Sequence, residues 1–162
     1  MIKISKFVVV LFLLQVPSFL FGYEDVATSA DIKNWRIQAE NGDAEAQYDL
    51  AEAYRKGESV EQDEREAAKW YKESASQGYP DAQFAMGFVY RGGNGMPMDK
   101  VMSYMWFYLS VKNGDQRAIG LMNDLAWSMT ESEIDEGRRK ADEWKVAIQE
   151  RKKKKKKNQS NN

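Results

Sequence analysis

The sequence repeats with a period of 36 residues, and this period constrains the fold more than any other feature. Glycine recurs at this spacing at positions 42, 78 and 114. The same spacing relates Ala46, Ala82 and Ala118, Tyr54 and Tyr90, Gly57 and Gly93, Asp63 and Asp99, and Trp70 and Trp106. Small, aromatic and turn residues that coincide at one spacing are typical of an array of identical supersecondary units.

Each period contains two helical patterns separated by a turn. Apolar and small residues recur at helical spacing over 46–54 and again over 67–74. Gly57 suits the left-handed end of the first helix, and Asp63 suits the N-cap of the second. Because two such short helices cannot bury their apolar faces alone, neighbouring units must stack. The sequence therefore predicts an all-α fold, a short α-solenoid of stacked antiparallel helix pairs with a 36-residue period.

The central periods resemble the Sel-one-like repeat (SLR) family, a relative of the tetratricopeptide repeat with a longer turn. The residues that carry this resemblance in the first full unit are Ala46, Leu50, Tyr54, Gly57, Val60, Asp63, Ala67, Trp70, Tyr71, Ala75 and Gly78. The family pattern prefers glycine at Ala51 and Ser59, and alanine at Ser103 and Val111 of the next unit. The resemblance implies a scaffold that binds other proteins, as similar repeat proteins do in bacterial envelopes and signalling assemblies.

The period also divides the chain into segments. We expect a repeat domain over 23–150, in which a half unit at 31–41 precedes full units at 42–77 and 78–113 and a divergent unit at 114–150 follows them. The divergent unit lacks the glycine turn, and Thr130 with Glu133 forms a capping-box pattern that begins a final helix. The tryptophans at 70 and 106 share one repeat position, so both are predicted to pack in the core.

Residues 1–22 have the order of a secretory signal peptide. Two lysines precede an apolar run over 7–14, and a small residue, Gly22, ends the segment. The apolar run is shorter than the roughly 20 residues that a membrane-spanning helix needs. We expect export to a bacterial periplasm or to the exterior, with cleavage after Gly22 or, alternatively, after Ala30. An uncleaved membrane anchor is the other interpretation.

The net charge of −1 conceals three segments of different charge. Of the 24 lysines and arginines, two lie in 1–22 and seven in 151–157, which leaves 15 against all 25 acidic residues in the body. The low-complexity tail 151–162 is expected to be disordered. Its cations could bind anionic lipid, an acidic polymer or nucleic acid, or form a solvated extension. These cations are Arg151, Lys152, Lys153, Lys154, Lys155, Lys156 and Lys157.

Composition removes most enzyme classes. The chain has no cysteine and no histidine, which excludes disulfides, thiolate zinc sites, cysteine nucleophiles and histidine-based triads. The glycine-rich stretch 92–95 lacks the lysine and the serine or threonine of a phosphate-binding loop. The acidic residues over 131–136 complement a helix N-terminus. Specific nucleic-acid binding is disfavoured because the aromatic residues lie in an acidic body. We predict no catalytic, cofactor or metal site, and hence a protein that is not an enzyme.

Three residues are candidates for contact with a partner protein. Arg55 and Arg91 lie one period apart, and each follows the tyrosine near the end of a first helix, about 100° away from the apolar stripe. They could form a short basic ladder for an acidic or C-terminal segment of a partner, or each could pair with an acid of its own repeat. Trp127 lies outside the period of the other tryptophans. The sequence predicts an exported scaffold for protein–protein interaction, with envelope attachment through the lysine tail as the alternative.

Removal of the signal peptide is directly testable. The mass of the intact protein from the extracytoplasmic fraction should correspond to a chain that begins near Tyr23, because the segment before it has the features that signal peptidase recognises. Recovery of the full-length chain from the cytosol would contradict this prediction.

Overall fold

Seven helices make up the part of the chain that the structure, a computed structural model, describes. This part comprises residues 26–159, so the predicted signal peptide at 1–22 lies outside the described residues. No strand occurs between residues 26 and 159. The helices are α1 (Ser29–Glu40), α2 (Ala44–Lys56), α3 (Glu64–Ser76), α4 (Pro80–Gly92), α5 (Lys100–Lys112), α6 (Ala118–Ala126) and α7 (Glu131–Gln159). Helices α1 to α6 pack in chain order, and α7 packs back on α5.

The predicted helix ends are confirmed. Asp63 is the N-cap of α3 and accepts hydrogen bonds from backbone N–H groups of the first turn at 2.8 and 3.1 Å. Asp99 caps α5 in the same way, at 2.9 Å. Gly57 and Gly93 end α2 and α4 with φ of 74° and 75°, a left-handed conformation that glycine adopts without steric cost. These local signals place the helices of both units in the same register.

Ser59 stands where the family pattern prefers glycine, and the structure accommodates it. Its φ is 56°, in the left-handed region that is uncommon for residues with a side chain. Its hydroxyl donates a hydrogen bond of 2.7 Å to the carbonyl of Ala27. This bond joins the turn of the first full unit to the segment just before α1, so the departure from the pattern has a structural role.

A buried glutamine links each full unit to the helix before it. The side-chain amide of Gln47 on α2 donates to the carbonyl of Ala39 near the end of α1, at 3.0 Å. One period later, Gln83 on α4 donates to the carbonyl of Ala75 on α3, at 3.2 Å. Both glutamines are at most 5% exposed. The same two carbonyls also accept hydrogen bonds from the backbone N–H groups of Gly42 and Gly78, each at 3.0 Å, so each glutamine adds a further bond to a carbonyl at a helix end.

Serine hydroxyls hold the two helices of each unit together at their ends. Ser74 on α3 donates to the carbonyl of Ala44 at 2.5 Å, and Ser110 on α5 donates to the carbonyl of Pro80 at 3.2 Å. The side-chain oxygen of Gln47 accepts a hydrogen bond from Gln77 at 2.9 Å, and that of Gln83 accepts one from Asn113 at 2.7 Å. The repeat therefore carries a polar network as well as an apolar core.

The tryptophans at the shared repeat position both pack against the core, as expected, but they differ in burial. Trp106 is 1% exposed, because Trp144 of α7 packs against it with ring centroids 5.0 Å apart. Trp70 is only partly buried, and the ammonium of Lys69 lies 5.5 Å from its ring centroid. The difference comes from α7, which covers the later unit.

Helix α7 begins as the sequence predicts, and it packs back on the repeats. The hydroxyl of Thr130 accepts from the N–H of Glu133 at 3.3 Å, and the Glu133 carboxylate accepts from the N–H of Thr130 at 2.8 Å. Ala141 is fully buried in the core formed by α2 to α5. Neither this helix nor any other between residues 26 and 159 has the length and apolar composition needed to cross a membrane.

Residues 151–159 continue α7, in contrast to the disordered tail that composition suggests. Lysine has a high helix propensity, and once a helix is nucleated each added residue gains a backbone hydrogen bond. The ammonium of Lys152 also donates to the carbonyl of Gln77 at 3.2 Å. The first residues of the tail are therefore tied to the end of α3.

Replacing each of the two tryptophans tests this difference in burial. Trp106→Ala should lower the free energy of unfolding by about 3–5 kcal/mol, the usual cost of deleting a buried aromatic side chain. Trp70→Ala should cost less, about 1–2 kcal/mol, because its side chain is only partly buried. Denaturant unfolding followed by circular dichroism measures both. Equal losses at the two positions would show that α7 does not protect Trp106.

Candidate functional site

A groove of about 520 Å³ lies between α2 and α4, with α3 beneath it. Residues at i, i+4 and i+7 of α2 form one wall, and residues at i, i+3, i+4, i+7 and i+8 of α4 form the other, so each helix turns a single face towards the groove. We call this the α2–α4 groove. Its lining residues are Tyr48, Glu52, Arg55, Gln62, Glu64, Ala67, Tyr71, Asp81, Phe84, Ala85, Phe88, Val89, Asn94 and Arg117.

The α2 wall is polar and organised around one carboxylate. Glu52 accepts two hydrogen bonds from the guanidinium of Arg55, at 3.0 and 2.7 Å, and a third from the hydroxyl of Tyr71. Burial raises the pKa of Glu52, but the hydrogen bonds from Arg55 and Tyr71 outweigh it and hold the pKa below its usual value. Burial and the bond to Glu52 raise the pKa of Tyr71. The carboxylate is thus charged and satisfied within its own unit.

The α4 wall is aromatic. Phe88 packs edge-on against Phe84 and against Phe107 beneath them, with centroid distances of 5.1 and 5.4 Å. Phe107 is fully buried, whereas Phe88 is 41% exposed. The groove therefore offers a partner a rigid apolar surface that is already held in place from below.

Arg117 closes the groove beside this aromatic surface. Its guanidinium lies 4.6 Å from the ring centroid of Phe84, close enough for a cation–π interaction. It donates to Asp115 at 2.8 and 2.7 Å and also pairs with Asp81. The hydrogen bond from Arg117 is the main cause that lowers the pKa of Asp115.

The two full units differ at the positions that form the groove. One period after Glu52 stands Phe88, and one period after Tyr71 stands Phe107. The polar pair of the first unit is therefore replaced by an aromatic pair in the second. The exposed Arg91, which repeats Arg55, consequently has no acid at the matching position and forms no ion pair with any residue of 26–159.

The three predicted partner-binding residues lie in different surroundings. Arg55 lines the groove and pairs with an acid of its own repeat. Arg91 does not line the groove, whose other arginine is Arg117. Trp127 is 89% exposed at the end of α6, in a shallow depression with Asn123. The structure does not bring these three residues into one groove.

Reasoning from the sequence missed the aromatic wall and Arg117. Phe84 and Phe88 lie four residues apart on α4, outside the apolar stripe that the repeat shares. Large apolar residues on a second face of a short helix indicate that this face also forms a contact surface. The replacement of Glu52 by Phe88 one period later is a second signal.

The other chemistry-bearing stretches have structural roles. Between residues 26 and 159, no three acidic side chains meet in a way that could hold a metal ion. Glu133 of the acidic stretch pairs with Lys100 at 2.9 Å. A Cβ at Gly95 of the glycine-rich turn would lie 2.1 Å from the carbonyl oxygen of Glu64, so glycine is needed there for close packing on α3.

Comparisons with known proteins agree with the repeat architecture described above. The sequence model of the Sel1 repeat family matches residues 44–79 and 80–115, two ranges of 36 residues. Among curated protein sequences, no match to the chain was found.

Two solved structures are similar to this chain. A protective antigen of uropathogenic Escherichia coli with an SLR fold shares 26% identity at a TM-score of 0.67, over 70% of this chain and 24% of that protein. A Sel1 repeat protein from Oxalobacter formigenes shares 30% identity at a TM-score of 0.55, over 56% of this chain and 37% of that one. The chain thus spans only about a quarter to two fifths of these relatives. Residues 44–115 therefore form two Sel1 repeats, in agreement with the 36-residue period and the all-helical solenoid.

Proposed function

We propose that the chain is an exported, non-enzymatic scaffold that binds a segment of another protein in the α2–α4 groove. The Sel1 repeat fold commonly mediates protein–protein interaction, which supports the general role. The signal-peptide pattern of residues 1–22 supports export. The location of the binding surface rests on the groove itself.

The observation that carries this proposal is the combination of exposed aromatic rings and arginines around one groove. Protein–protein interfaces concentrate their binding free energy in a few aromatic and arginine side chains that sit in preformed pockets. Phe88 is 41% exposed yet is held by two neighbouring phenylalanine rings. A partner side chain that covers it would gain apolar burial at little cost in ordering this surface.

The charges of the groove favour a partner that docks mainly through apolar contact. Arg55 is paired with Glu52, and Arg117 is paired with Asp81 and Asp115, so most of the groove's charge is balanced before a partner binds. These pairs would fix the orientation of the bound segment through hydrogen bonds at the edges of the groove. A helix with apolar residues on one face matches a groove between two parallel walls.

The proposal predicts that Phe88 dominates partner binding. In affinity capture from cells that express the chain, Phe88→Ala should lower the affinity for the bound partner about thirtyfold, which corresponds to the ~2 kcal/mol of an interface hot spot. Met98→Ala is the matched control, because Met98 is 73% exposed and does not line the groove. Its affinity should stay within about twofold of the unchanged chain.

Thermal unfolding of both variants separates binding from folding. Phe88→Ala should remain folded at the temperature of the assay, because its ring is partly exposed. If capture is unchanged in Phe88→Ala but lost when Trp127 is replaced by alanine, the partner binds at the end of α6 and the groove assignment is wrong.

A further inference from the structure

The final turns of α7 carry a dense block of positive charge. Earlier in this helix, cations pair with acids one turn away: Arg139 with Glu143 at 2.6 Å, and Lys140 with Glu136 at 3.4 Å. The last acid of the chain is Glu150, and the next seven residues are all cationic. From this point α7 changes from a salt-bridged surface helix to a segment with no acid of its own.

The cations at the start of this segment surround the helix axis. Consecutive residues of an α-helix are turned by about 100°, so the four residues 151–154 already surround the axis. The side chains of residues 151–154 and of Lys157 are exposed. Whichever side of this segment faces the body, cations therefore point away from it on the other sides.

The rest of α7 fixes where this basic end is held. Ala141 is buried in the core, Trp144 packs on Trp106, and a Cβ at Gly137 would lie 2.8 Å from the ring of Tyr104, so the helix lies close against α5. Lys152 then donates to the carbonyl of Gln77 at 3.2 Å, at the end of α3. The cations are thus carried on a docked helix, unlike those of a loose tail.

We propose that the basic end of α7, residues 151–157, binds the anionic surface of a lipid bilayer. Each lysine near such a surface adds an attraction that falls off within one Debye length, and several together suffice for peripheral binding. Residues 151–159 contain no apolar side chain that could insert among lipid tails. Binding should therefore be electrostatic and reversible by salt.

Charge and composition favour a bilayer over nucleic acid. Six of the seven cations are lysines, which act as point charges, and the segment has no aromatic ring on which a base could stack. The body between residues 23 and 150 has 15 cations against 25 acids. A long polyanion lying along the protein would meet this acidic body, whereas a flat anionic surface can touch the basic end alone.

Co-sedimentation with lipid vesicles tests the proposal on the chain as it is purified from cells. We expect binding to vesicles of 70% phosphatidylcholine and 30% phosphatidylglycerol at 20 mM NaCl, and loss of that binding at 300 mM NaCl, because salt screens the attraction. Replacing Lys152, Lys153, Lys154 and Lys156 together by glutamine should lower the partition coefficient more than tenfold.

The matched control removes four cations from the earlier part of the same helix, where Arg138, Arg139 and Lys140 each pair with an acid. Arg138, Arg139, Lys140 and Lys145 replaced by glutamine should change the partition coefficient less than threefold. Circular dichroism of both variants should match that of the unchanged chain. The groove is untouched in both, so their partner capture should be normal and the two proposals fail independently.

Three results would overturn the inference. One is equal binding to vesicles of phosphatidylcholine alone. Another is binding to the mixed vesicles that survives the replacement of the four lysines. The third is displacement of the protein from the mixed vesicles by a 20-base-pair DNA duplex at equal total negative charge, which would assign the segment to nucleic acid.

Discussion

The array depends on the packing of each unit against the helix before it, and one buried hydrogen bond recurs in that contact. The amide of a glutamine on the first helix of a unit reaches a carbonyl near the end of the previous helix, at Gln47 and again at Gln83. A helix pair of this size cannot bury enough apolar surface to be stable alone. Apolar contacts have no preferred direction, whereas a hydrogen bond does. The glutamine bond therefore fixes the rotation and register of one unit against the next. The groove between α2 and α4 exists because this register is repeated.

The features that depend on nearby residues could be predicted from the sequence. Each helix end is decided within a few residues: the caps at Asp63 and Asp99, the left-handed ends at Gly57 and Gly93, and the start of α7. The different burial of Trp70 and Trp106 could not be predicted in this way. It depends on α7, which returns from the far end of the chain to cover only one of the two.

The candidate site was only partly visible in the sequence, for a similar reason. Arg55 was identified, but its pairing with Glu52 and Tyr71 depends on α2 and α3 meeting face to face. The ladder with Arg91 was inferred from the repeat, which assumes that equivalent positions have equivalent neighbours. Position 88 breaks that assumption, because a phenylalanine replaces the acid there. In a repeat protein, the positions where the units differ are therefore better guides to recognition than those where they agree.

The spacing of the linking bonds also has a kinetic consequence. The glutamine bonds join residues 8 apart, the serine and amide bonds join residues 30 apart, and the pair of Arg117 with Asp81 spans 36. Chains whose contacts are this local lose little loop entropy as they fold and reach the native state quickly. The bond from Lys152 to Gln77 spans 75 residues. Folding can therefore start in either helix pair and spread to its neighbour, and the C-terminal turns of α7 would dock last, on a surface that the earlier units have already built.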